Sequence, residues 1–186
     1  MGTTATMAGS PLWSRMRWVV WGGACLLLML PLVAMQFTGE VNWTLSDFVV
    51  MGVMLGLVCV SFEIAVRVAR TNAYVVAAGI AVAAAFLMTW ANLAVGIIGN
   101  ENNPANLMFF GVIGLGLVGV LLARLKPRGM ARAMYVTALA QFAVSVITLA
   151  IGEGYLFVLT GFFVAMWLIS AQLFQKAARQ EAEAVG

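Results

Sequence analysis

An apolar run long enough to cross a bilayer occurs six times in this chain, and no water-soluble fold accommodates that. A spanning helix needs about 20 residues. The runs fall near Trp18–Gln36, Asp47–Val66, Ala73–Ile98, Ala105–Leu122, Ala133–Ile151 and Tyr155–Phe174. Each gap between them carries charge, Gly, Pro or Asn, where helices end. The runs and their connections take up nearly all of the 186 residues, which leaves no room for a soluble domain. Composition agrees, with 63% hydrophobic and only 9% charged residues, whereas soluble domains are about one-quarter charged. The expected fold is all-α: a polytopic transmembrane helical bundle of six spans over residues 18–174. Residues 1–17 and 175–186 are then terminal tails.

The basic residues orient the spans. All ten Lys and Arg sit in four segments: Arg15 and Arg17, Arg67 and Arg70, Arg124 through Arg132, and Lys176 with Arg179. In a six-helix chain those segments share one side. The opposite loops hold Glu40, Glu101 and Glu153 with no basic residue, and Asp47 opens the second span there. The positive-inside rule therefore places both termini in the cytoplasm. The first run exceeds a signal-peptide core, and no small-x-small cleavage site follows Met35, so it is read as an uncleaved anchor. Pro31 should kink that helix or end its regular part. Trp13, Trp18, Trp21 and Trp43 fall near the expected interfaces, where amphipathic rings anchor spans. Trp90 and Trp167 lie deeper and read as packing residues.

Absences restrict the chemistry. The chain has no histidine, the commonest general base and metal ligand, and no carboxylate pair or Ser/Lys dyad within the spans. Cys25 and Cys59 stand apart in apolar runs and read as small hydrophobes rather than a redox centre. Enzymatic function, metal binding and nucleic-acid binding are not expected. No cofactor is expected either, although a lipid or hydrophobic chromophore between helices would leave no motif. Glu63 lies one turn before Arg67 near the cytoplasmic end of its span, an interfacial i,i+4 ion pair that explains it without a proton-coupled role.

Small residues mark faces for close helix approach. They are Gly52 and Gly56 in the second span, Ala73, Ala77, Ala81 and Ala85 in the third, and Gly111, Gly114, Gly116 and Gly119 in the fourth. These seams read first as internal bundle packing, with a homo-oligomer or membrane-protein partner seam as the functional alternative. The second and third spans also echo the fourth and fifth in sequence, as a parallel duplication would.

Polar side chains inside the membrane are sharper clues, because unsatisfied ones cost several kcal/mol. Thr137, Gln141, Ser145 and Thr148 share one face of the fifth span, and Thr89 and Asn92 share one face of the third. If those faces meet, they outline a polar cavity opening near Glu101 and Glu153; the alternative is hydrogen bonding between helices. The outer loop Asn100-Glu101-Asn102-Asn103-Pro104-Ala105-Asn106 holds four asparagines and a glutamate in seven residues. Asn103 or Asn106 can cap the fourth helix. The remaining amides exceed what a turn needs and suggest contact with a ligand or partner.

The stretch NLAVGIIGNENNPANLMFFG, with VNWTLSDFVVMGV and KPRGMARAM, resembles small bacterial six-helix integral membrane proteins over Phe37 through Leu149. The resemblance implies a bacterial inner-membrane location and the same span arrangement. It carries no activity, since none is assigned to that group. The leading expectation is a non-enzymatic accessory, assembly or scaffold component acting through helix contacts; the alternative is a small-solute facilitator or channel whose polar cavity opens to the periplasmic side.

Overall fold

The computed structural model describes residues 11–100 and 102–184. Among them are six helices long and apolar enough to cross a membrane, and no strands. The protein is an all-helical, multi-pass membrane protein. The helices are α1 (Pro11–Ala34), α2 (Leu45–Val68), α3 (Asn72–Ala94), α4 (Leu107–Ala123), α5 (Pro127–Ala150) and α6 (Phe157–Glu183). Single 3-10 turns at Pro104–Asn106 and Gly154–Leu156 lead into α4 and α6. The chain forms two compact units, residues 1–69 with α1 and α2, and residues 70–186 with α3 to α6.

Local chemistry fixes the helix ends. Thr44 caps α2 in a reciprocal box: its hydroxyl accepts from Asp47 N, while Asp47 Oδ2 accepts from Thr44 N at 2.7 Å. Thr71 caps α3 through Tyr74 N. Helix α3 stops at Ala94 rather than Ile98, because the chain turns at Gly96 and Gly99, whose φ values of 71° and 68° suit glycine. Helix α5 starts at Pro127, before the expected Ala133, with proline in the first turn where its missing N–H costs nothing. Pro31 sits inside α1, which ends three residues later at Ala34.

In the first unit α1 and α2 pack as an antiparallel pair. Trp13 meets Phe62 at a ring distance of 6.2 Å, and the thiol of Cys59 lies 4.0 Å from the Val20 carbonyl.

The second unit is a four-helix bundle. Helix α5 packs on α4 and α6, and α3 packs mainly on α6 and more lightly on α4, so α3 and α5 face each other across the diagonal. Tyr74 stacks edge-on against Phe174 at 5.0 Å and donates to the Leu125 carbonyl at 2.9 Å. Ser170 donates to the Ala77 carbonyl of α3 at 2.8 Å. Helices α4 and α5 approach closely where a Cβ on Gly116 would lie 3.1 Å from Thr137 Oγ1, and one on Gly119 only 2.7 Å from Ala133 Cβ. The outward faces carry Leu121, Leu139, Phe142 and Val158, while hydroxyls and amides lie inside. That inversion of the soluble pattern is what a lipid environment selects.

The suggested duplication finds no counterpart in the connections. Ala69 and Thr71 between α2 and α3 are extended, whereas Arg124 and Leu125 between α4 and α5 are both left-handed.

Candidate functional site

The interior of the four-helix unit gathers the polar residues of three helices. Thr137, Gln141, Ser145 and Thr148 of α5, Asn92 of α3, and Thr160 and Ser170 of α6 are all buried. Thr89 is half-buried. The polar faces of α3 and α5 both turn into this unit. The two helices are diagonal, and Asn92 and Thr148 lie near the C-terminal ends of α3 and α5. Gln141 lies deeper than Thr148 by about 10 Å at 1.5 Å of rise per residue. The groups form a column along the bundle axis rather than a ring at one depth.

Most of the hydroxyls bond within their own helix. Thr137 Oγ1 donates to the Ala133 carbonyl at 2.9 Å, Ser145 Oγ to Gln141 at 3.0 Å, Thr148 Oγ1 to Ser145 at 2.8 Å, and Thr160 Oγ1 to Leu156 at 2.9 Å. Ser170 is the exception that crosses between helices. This pattern replaces the interhelical network that was the alternative reading of the α5 face. The amides behave differently. Asn92 Nδ2 donates to the Met88 carbonyl at 2.9 Å, but its Oδ1 has no partner. Neither Oε1 nor Nε2 of fully buried Gln141 has a partner, and Trp167 Nε1 has none either, among the described residues. Trp167 had read as simple packing. Its buried face was legible, since Thr160, Phe163, Trp167, Ser170 and Phe174 repeat at spacings of three and four.

The loop between α3 and α4 uses Asn100, Asn103 and Asn106 on itself. Asn100 Oδ1 accepts from Asn102 N at 3.0 Å, and Asn103 Oδ1 from Ala105 N at 3.0 Å. Asn106 is buried and gives α4 no side-chain cap. Its Oδ1 accepts from Ile98 N at 2.8 Å, and its Nδ2 donates to the carbonyls of Asn100 at 2.7 Å and Ile98 at 3.3 Å. The side chains of Asn100, Asn103 and Asn106 are thus engaged by the loop backbone. Glu101 lies outside the described residues. Glu153 is half-buried in the α5–α6 turn, its N–H bonded to the Thr148 carbonyl at 2.9 Å.

The small-residue seams divide. Gly116 and Gly119 meet α5, whereas a Cβ on Gly111 or Gly114 would find no atom of its own unit within 4 Å. The same holds for Gly56, and Gly52 meets only Leu28 Cδ2 at 3.8 Å, so the GxxxG pair of α2 is not a close backbone crossing with α1. In α3 Ala77 is fully buried, and Ala81 and Ala85 are half-buried.

In the first unit Glu63 gathers two cations rather than one. Its Oε2 is 3.4 Å from Arg67 Nη2, and its Oε1 accepts from Arg17 Nε at 2.6 Å. Arg17 is distant in sequence, so i,i+4 spacing could not reveal it. Among the described residues no three acidic or cysteine side chains converge as metal ligands. Comparison of the chain with protein-family models, curated proteins and solved structures found no match.

Proposed function

We propose that the four-helix unit binds and passes a small polar solute along its axis, as a non-enzymatic facilitator. The observation that carries this reading is Gln141. A fully buried amide with neither atom bonded costs about 1–3 kcal/mol or more for each group, and lipid offers no remedy. Hydrogen-bonding guests, water or a small uncharged solute, would satisfy it. Thr148 and Asn92 supply further polar atoms towards the outer end, and Trp167 Nε1 supplies a second donor without a partner. The charge segregation supports a bacterial inner-membrane protein with both termini cytoplasmic and the Asn92 end facing outwards.

Gln141→Leu separates function from structure. Solute passage through a functional amide should fall at least tenfold in proteoliposome swelling with glycerol or urea, while thermal stability holds or rises by about 1 kcal/mol. A loss of stability with passage unchanged would overturn the reading.

A second reading, an accessory or assembly component working through helix contacts, is favoured by Gly111 and Gly114. They leave a small-residue strip on α4 unfilled by its own unit. On that reading Gly111→Leu removes a co-purifying partner or a second copy in native mass spectrometry without lowering stability.

A further inference from the structure

We propose that the end of the first unit nearest Arg17 binds the phosphate of an anionic phospholipid headgroup. A cleft of about 510 Å³ is lined there by Ser14, Arg17, Trp18, Trp21 and Glu63. Its lining carries one cation and one carboxylate, Arg17 and Glu63, and a second cation, Arg67, reaches that carboxylate from outside the lining. One carboxylate, on Glu63, faces two guanidinium groups, with Arg17 Nε at 2.6 Å and Arg67 Nη2 at 3.4 Å. A guanidinium carries five N–H donors in a fixed fork, so the single bond from Nε leaves most of the Arg17 fork for another acceptor. The Glu63 side chain is 14% exposed, against 37% for Arg17 and 66% for Arg67. The carboxylate is therefore the inner group that positions the fork, and the cationic edges face outwards. Arginine forks match phosphate oxygens in pairs, and the Ser14 hydroxyl adds a donor or acceptor at the rim.

The walls point to a lipid rather than a dissolved anion. Trp18 is 82% exposed and Trp21 44% exposed, an arrangement that suits rings lying at headgroup depth. Beyond them α1 presents Val19, Leu26, Leu27 and Leu30 outwards, a track that acyl chains can follow. This site belongs to the first unit and does not depend on the facilitator reading.

Native mass spectrometry of the full-length protein, released from micelles supplemented with phosphatidylglycerol or phosphatidylcholine of identical chains, tests the proposal. One phosphatidylglycerol should be retained per chain with about tenfold preference over phosphatidylcholine. Arg17→Lys keeps the charge but loses the fork, and should remove most of that preference. Ser14→Phe fills the cleft from an exposed position and should do the same without touching any charge. Arg179→Gln, outside the cleft, should leave the preference intact. Displacement of the lipid by millimolar glycerol phosphate supports the same phosphate site with a soluble ester as its natural source. Equal retention of the two lipids by the unaltered protein overturns the proposal, as does a preference that survives both Arg17→Lys and Ser14→Phe.

Discussion

Asn106 brackets the α3–α4 loop with both ends of its amide, holding Ile98 and Asn100 across the gap between the two helices. Replacing it with alanine removes three hydrogen bonds and orphans buried backbone groups. The expected cost is about 2–3 kcal/mol, read as a lower melting temperature in detergent. Gln141 is its opposite, a buried amide bonded to nothing, whose replacement by leucine should stabilise. Both are carboxamide side chains in an apolar setting, and the sequence marks both, but the capping role it offers Asn106 is not the one Asn106 takes. The reason is geometric. What Asn106 bonds depends on a loop path set by left-handed Gly96 and Gly99, and what Gln141 lacks depends on the helices opposite it. The Arg17–Glu63 pair was out of reach for the same cause, since its partners meet only when α1 and α2 pack.

At the scale of the helix, the glycines of α4 give the clearest contrast. Gly119 sits where its added Cβ would collide with Ala133, so Gly119→Ala should cost about 1–3 kcal/mol by overpacking. Gly111 faces open space, so Gly111→Ala should be neutral or stabilise by up to about 1 kcal/mol through helix propensity. Thermal unfolding of the two variants side by side checks the pair, and Ala133→Gly should rescue the first. All four glycines read as one seam, but the helical period splits them: Val112, Gly116 and Gly119 turn towards α5, while Gly111 and Gly114 turn away. The number of helices was legible because a span of apolar residues has a fixed length. Their ends were less so, because apolar content says nothing about where a proline or a left-handed glycine starts or stops a helix. Helix α5 reached back to Pro127 for that reason.

Across the whole molecule, the described residues hold six helices able to cross a membrane, and on the proposed topology both ends of the chain lie on one side. The proposed orientation rests on the distribution of Lys and Arg, which would put that side in the cytoplasm. With Cys25 and Cys59 replaced, Asn42→Cys should react with a membrane-impermeant maleimide on intact cells. Gln180→Cys should react only after permeabilisation, and the reverse order would refute the orientation. Division into two units was not legible, because both are written in the same apolar alphabet and differ in how many neighbours each helix finds. The hairpin α1–α2 has one close pair, whereas each helix of the other unit has at least two.

The left-handed pair Arg124 and Leu125 has a consequence for how the chain is made. Two successive non-glycine residues at φ 49° and 58° are costly on their own, by about 1–2 kcal/mol each. The tyrosine hydroxyl that bonds the Leu125 carbonyl belongs to α3, which leaves the ribosome first. The clasp is therefore synthesised before the turn it closes, so the turn's strain and the bond that offsets it can form together as soon as Leu125 is made.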